Sequence, residues 1–130
     1  MQETMGELAL MGWYAAEMIV LTDIKGLIEW VNESFVRTSG YTLQELRGKK
    51  PARLLQGPES DHVAIKILRH AVHSALPCEC RITNYRKSGA PYPVHISLGP
   101  VFGNGGLEGF LAVEKDFSEG EEQLATATED

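Results

Sequence analysis

The sequence predicts an α+β domain, with a five-stranded antiparallel sheet covered on one face by short helices and one longer helix. Three observations predict it. Strand-like segments fall into two groups, at residues 18–31 and 78–117, with helical patterning between them. The strands within each group are joined by short turns: Asp23-Ile24-Lys25-Gly26, Lys87-Ser88-Gly89 and Gly103-Asn104-Gly105-Gly106. Between the groups, one segment carries the i, i+3, i+4 spacing of an amphipathic helix. Runs of strands segregated from runs of helices give an α+β domain, not an alternating parallel one.

Taken in order, residues 1–17 hold Leu8, Met11 and Trp13 among small and acidic residues and read as a short cap helix. Met18 to Thr22 and Leu27 to Val31 form the first hairpin. Asn32 is placed to cap a short helix through Phe35, which Gly40 ends. Thr42-Leu43-Gln44-Glu45 has the spacing of a capping box, in which the Thr42 hydroxyl and the Glu45 carboxylate satisfy each other's backbone donors. Two prolines and a glycine between Lys49 and Pro58 allow at most one helical turn. Ser60 or Asp61 caps the long helix, whose apolar face is Ala64, Ile67, Leu68, Ala71, Val72 and Ala75, and Pro77 stops it. Cys78 to Arg86 alternates Cys78, Cys80, Ile82 and Asn84 on one face against Glu79, Arg81, Thr83 and Tyr85. Tyr92 to Phe102 and Leu107 to Phe117 complete the sheet. Short helices over such a sheet leave a concavity between the layers.

At 130 residues, with 43% hydrophobic and 23% charged residues, the chain matches a single globular domain in size and composition, and neither disorder nor a fibrous repeat is suggested. No apolar run is long enough to cross a bilayer and no export signal is visible, so the expected setting is cytoplasmic, without membrane contact. Of the net charge of −6, the tail Glu119, Glu121, Glu122, Glu129 and Asp130 carries −5, which leaves a nearly neutral body. That balance argues against a nucleic-acid partner. Cys78 and Cys80, two apart on one strand, suit neither a disulfide nor covalent haem, and no metal site is expected. Ser97 and His95 read as facing opposite sides of one strand, so no catalytic set is expected and the chain is read as a non-enzyme.

Ile19-Val20-Leu21-Thr22-Asp23 with Gly26, then Trp30-Val31-Asn32 with Phe35, then Ser39-Gly40-Tyr41, resemble the N-terminal half of PAS domains. Asn84 to Gly89, the strand Ser97 to Phe102 and Val113-Glu114-Lys115-Asp116 are similar to the C-terminal hairpin and exit of that family. The resemblance covers about residues 18–118. It implies the PAS fold over residues 18–117, a sensory role, pairing into a homodimer, and an acidic stretch, 118–130, leading to a C-terminal effector. Trp30 and Tyr92 read as core or interface residues.

Leu54 to Asp61 is similar to the light-oxygen-voltage subgroup of PAS domains, which binds a flavin, FAD or FMN. The resemblance implies that Arg53 and Arg69 hold a flavin phosphate, that Gln56 lies by the ribityl chain and that Asn84 faces the ring. The second ring-facing asparagine position is Val94, and the glutamine of the last strand is Glu114. The subgroup's photoactive cysteine falls at Ala52, which has no nucleophile, so light-driven adduct chemistry is not expected. An ionised Glu114 would repel a flavin carbonyl, so either burial keeps it protonated or the cavity holds something else. Arg69 also falls, with His62, Lys66 and His73, on the helix face opposite the apolar stripe. The alternatives are haem, with His62, His70 or His73 as candidate ligands although none lies on the apolar face, a small metabolite, or an empty pairing module with no cofactor.

Overall fold

A computed structural model of the chain describes residues 3–13 and 15–118. The elements run α1 (Glu3–Gly12), β1 (Met18–Thr22), β2 (Ile28–Val31), α2 (Glu33–Ser39), α3 (Leu43–Leu46), α4 (Pro51–Leu54), α5 (His62–Ser74), β3 (Cys78–Tyr85), β4 (Pro91–Gly103) and β5 (Gly106–Asp116). The five strands form one antiparallel sheet in the order β2-β1-β5-β4-β3. The last strand to be made therefore sits at its centre. Residues 119–130, which hold most of the expected acidic linker, lie outside the described residues.

Local chemistry accounts for the helix limits. Asn32 accepts from the backbone of Phe35 to start α2, and Gly40, with φ of 81°, ends it in the left-handed region that favours glycine. Thr42 and Glu45 close the expected capping box around α3. Asp61 caps α5, while the neighbouring Ser60 hydroxyl donates to Thr83 O and accepts from Gly57 N–H, tying the α4–α5 segment to β3.

The main core lies between the inner sheet face and helices α2 to α5, with Phe35, Leu46, Leu55, Ala64 and Ala71 against Val20, Tyr92, Val94, Ile96 and Phe110. A smaller cluster on the opposite face is made by Met5 and Ala9 of α1 with Leu21 and Val101. Two of the residues expected to define the cap helix point elsewhere: Met11 is 78% exposed and Trp13 39% exposed, its ring beside Trp30. The reason is spacing, since Met5, Leu8 and Ala9 share a helical face that Met11 does not. Ile67, assigned to the apolar face of α5, is 39% exposed, and Ile65 packs inward instead.

Two strand residues also need correction. Ser97 and His95 share the outer face of β4, because side chains two apart on a strand project the same way. Both meet Glu79: the Ser97 hydroxyl donates to Oε1 at 2.9 Å, and His95 Nε2 lies 3.8 Å from the same oxygen.

Where α1 crosses the sheet, Gly109 is irreplaceable by even a methyl. A Cβ there would collide with the Thr22 carbonyl of the paired strand and lie 3.0 Å from Met5 Sδ. Gly109→Ala is expected to destabilise the domain by about 2 kcal/mol through overpacking. A urea midpoint equal to that of the parent chain would refute this.

Candidate functional site

Between the inner sheet face and the helices lies a cavity of about 500 Å³, a size suited to a small molecule. Its floor is β1, β4 and β5, through residues such as Val20, Ile96 and Ala112. Its walls are α5 on one side, and Pro51, Ala52 and Gln56 of the α4 segment on the other. The side chains are mostly apolar, with charged or titratable groups at two places.

The first is the mouth. Lys25 from the β1–β2 turn, Lys50 from the loop before α4, and Arg69 and His73 of α5 all line it, and all four are exposed. No carboxylate among the lining residues opposes them except Glu114, which lies inside. Arginine and lysine from three segments thus line one opening, and such groups are able to pair with an anion.

The second place is the interior. Glu114 of β5 is only 6% exposed, and its Oε1 has no hydrogen-bond partner among the described residues. Burial pushes its carboxyl up to about 7, from an ordinary value of 4.5, because desolvation penalises the charged form. The register sets it in one row with Met18 of β1, Ile96 of β4 and Cys80 of β3. Burial likewise pushes the Cys80 thiol up to about 11, so it is uncharged and a poor nucleophile at neutral pH. The Tyr92 hydroxyl is also buried with no hydrogen-bond partner among the described residues, and burial, above all, raises its pKa well above the ordinary phenol value.

Four of the residues expected at a ligand site are thus brought together: Ala52, Gln56, Arg69 and Glu114 line the cavity. Asn84 and Val94 are buried on the inner sheet face, opposite Tyr92 and Ile82 respectively, and are not among its lining. Arg53 is exposed on α4, outside the lining. Arg69 and His73, read from the sequence as opposite the apolar stripe, instead border the cavity with Ile65, Leu68 and Val72. These five share an i, i+3, i+4, i+7, i+8 stripe, displaced by about one residue from the core-facing one. The cavity lies beside α5, not beneath it. Lys25 and Lys50 carry no motif signal, and only the tertiary fold brings them to the mouth.

Beyond Glu114, β5 runs to a tightly held exit. Arg86 pairs with Asp116 at 3.0 Å, donates to Thr38 O, and stacks its guanidinium 4.2 Å above the Tyr92 ring. Partial burial works to raise the Asp116 carboxyl, but hydrogen bonds from Ser118 and Arg86 outweigh it and hold the group below its usual range. The Phe117 ring then lies against Arg81, at 4.6 Å, and against His95, at 5.9 Å.

This arrangement has known counterparts. Residues 16–119 match the family described as PAS domain. The chain belongs to the PAS domain family. It is 36% identical over 90 residues to a blue-light-activated histidine kinase of Brucella anthropi, a match covering 68% of this chain and 18% of the kinase. It is 30% identical to the aerotaxis receptor of Escherichia coli, over 71% of this chain and 18% of the receptor. It is 31% identical to a nitrogen fixation regulatory protein of Klebsiella oxytoca, over 80% of this chain and 21% of that protein. This PAS domain therefore corresponds to about a fifth of each of these relatives. Among solved structures, the PAS domain of the fruit-fly ELK potassium channel superposes with a TM-score of 0.81 at 19% identity, covering 91% of this chain and 100% of that one. The LOV domain of an Erythrobacter litoralis blue-light activated histidine kinase gives 0.73 at 24% identity, over 78% of this chain and 96% of that one. Likenesses at these identities show the fold.

Proposed function

We propose that this PAS domain is the sensory part of a cytoplasmic signalling protein, holds a flavin (FAD or FMN) in the inner cavity, and passes its redox or ligand state to a C-terminal effector. The observation that carries the reading is the cavity's polarity: a mostly apolar slot with exposed cations at its mouth and, inside, the buried Glu114, whose Oε1 has no hydrogen-bond partner among the described residues. A planar heterocycle with a phosphorylated tail complements both. When bound, the flavin supplies reversible redox chemistry in which ring nitrogens change protonation. Arg69, Lys25 and Lys50 would hold the phosphate, with Gln56 along the tail and Glu114 beside the ring. The apolar lining keeps water from the ring.

Adduct photochemistry is not part of the reading. Ala52 presents a methyl group where the resemblance puts a cysteine, and Cys80, a protonated thiol, is not among the lining residues. The path outward is short, because Asp116 and its Arg86 latch follow Glu114 by two residues. Leu10 and Met11, 80% and 78% exposed on α1, support pairing between two copies through that helix. His73 at the mouth favours haem as the second reading.

The absorption spectrum of the protein as purified tests this. Structured bands at about 450 nm that bleach on reduction are expected, whereas a Soret band transfers the site to haem. A spectrum of tryptophan and tyrosine alone, unchanged after reconstitution with FAD or FMN, overturns the cofactor.

A further inference from the structure

Between His62 and Cys78 the chain holds no aspartate or glutamate, and that stretch builds α5 and its end. The side of α5 turned from the core carries Val63, Lys66, Ile67 and His70, all exposed, Val63 to 64%. Arg69 and His73 stand on its flank toward the cavity mouth, which Lys25 and Lys50 also line. Arg53 lies one helical turn beyond Lys50. Among the described residues, Lys25, Lys50, Arg53, Lys66 and Arg69 pair with no carboxylate, whereas Arg37, Arg86 and Lys87 each do. The nearest acids in the chain, Glu59 and Asp61, precede the helix, and the Asp61 carboxylate accepts from Val63 N–H at 2.7 Å as its cap.

A single exposed apolar side chain is ordinary. Val63 and Ile67 stand one turn apart, so they make one strip, and the cations border it. An apolar strip with a cationic border and no acid within the helix matches the boundary of an anionic bilayer, where acyl chains lie beneath a plane of phosphates.

We propose that this face docks the domain on an anionic phospholipid surface. Helix α5 lies in the plane of the headgroups, with Val63 and Ile67 turned to the acyl boundary and Lys66, Arg69 and the cations around the mouth on the phosphates. The expectation of no membrane contact rested on the lack of a spanning run. No described helix is long and apolar enough to cross, and adsorption in the plane needs none. The docking does not depend on a flavin, because Lys66 and Arg53 lie outside the cavity lining and stay uncompensated when the mouth holds a phosphate. An acidic protein matches this face less well. A helix surface is convex, and the inner cavity and a groove of about 590 Å³ beside Ser97 and Val113, which could receive a partner's side chains, lie off the ridge.

The experiment is co-sedimentation of the whole chain with vesicles of phosphatidylcholine alone and of phosphatidylcholine with about one-third phosphatidylglycerol. Binding to the mixed vesicles only is expected, weakening by about tenfold when salt is raised to about 0.5 M. Lys66→Glu should lower the partition by about tenfold, since each cation near such a surface contributes to binding. Lys115→Glu makes the same charge change at an exposed position of β5, paired with His95 across the sheet, and should leave the partition within about twofold. Val63→Ser should cost about threefold at either salt concentration. Circular dichroism checks that each variant is folded. Absence of binding to either vesicle, equal binding to both, equal losses in Lys66→Glu and Lys115→Glu, or an unaffected Val63→Ser overturns the proposal. Capture of the chain by immobilised polyglutamate but not by vesicles would assign the face to an acidic protein and overturn it as well.

Discussion

Replacing Asn32 with alanine is expected to destabilise the domain by about 4 kcal/mol, more than an ordinary helix cap could account for. Asn32 is fully buried, and its amide group is used completely. Oδ1 accepts from Ile19 N–H at 2.9 Å and from Phe35 N–H at 3.1 Å, while Nδ2 donates to Gly12 O at 3.0 Å and to Glu17 O at 2.8 Å. One side chain thereby ties the end of α1, the segment behind it, β1 and the first turn of α2. Losing a cap costs about 1 kcal/mol, and each buried backbone group left without a partner costs about 1 to 3 more. Water can reach the partly buried Gly12 and Glu17 carbonyls, but not the Ile19 and Phe35 amides, which keeps the sum below its maximum. Guanidinium denaturation with Asn32→Ser alongside checks the argument. Serine can restore the cap and should recover only about 1 kcal/mol. A loss below about 1 kcal/mol in Asn32→Ala would show that the four bonds are replaced by water.

Features set by neighbours in the chain are legible in the amino-acid sequence itself. The αL cap at Gly40, the Thr42/Glu45 box and the hairpin turns depend on residues within a few positions of each other, so spacing carries the whole signal. The inward face of β3 follows from alternation, which places Ile82 and Asn84 in the interior, where both are buried. Ser97 and His95 obey the same alternation, against the expectation of opposite faces, and meet one carboxylate. The mouth of the cavity is only half legible. Arg69 comes forward by resemblance, but an exposed arginine on a helix looks like solvated surface until the neighbouring wall is known. Lys25 and Lys50 reach the same opening from a turn and a loop, and no local pattern fixes where those segments settle. Arg53, which the motif puts beside the phosphate, is exposed on α4 and is not among the residues that line the cavity.

Glu114→Gln is expected to make the ligand-free domain more stable at pH 8 by about 3 kcal/mol, and to change little at pH 4. In the unfolded chain this carboxyl titrates near its ordinary value of 4.5, and in the fold burial moves it up to about 7. Between those two values the folded state binds the proton and the unfolded state does not, so stability falls as pH rises through that window. Above it both states are ionised, and the full penalty remains, at about 1.4 kcal/mol for each pH unit separating the two values. Glutamine is nearly isosteric and uncharged, so it removes the penalty without opening a hole. Asp116 and Glu45, both held below their usual ranges by hydrogen bonds, shift stability in the opposite direction with pH. They do so equally in both proteins and cancel in the difference. Denaturation at pH 4, 6 and 8 reads that difference directly. A gap that opens between the first and last of these places the free energy on Glu114, while a gap of the same size at every pH would mean that packing, not the proton, distinguishes the two side chains. The first outcome would leave a buried acid that weakens the empty fold at neutral pH and above, which is the behaviour expected of a group kept for what it does to a ligand and not for the fold itself.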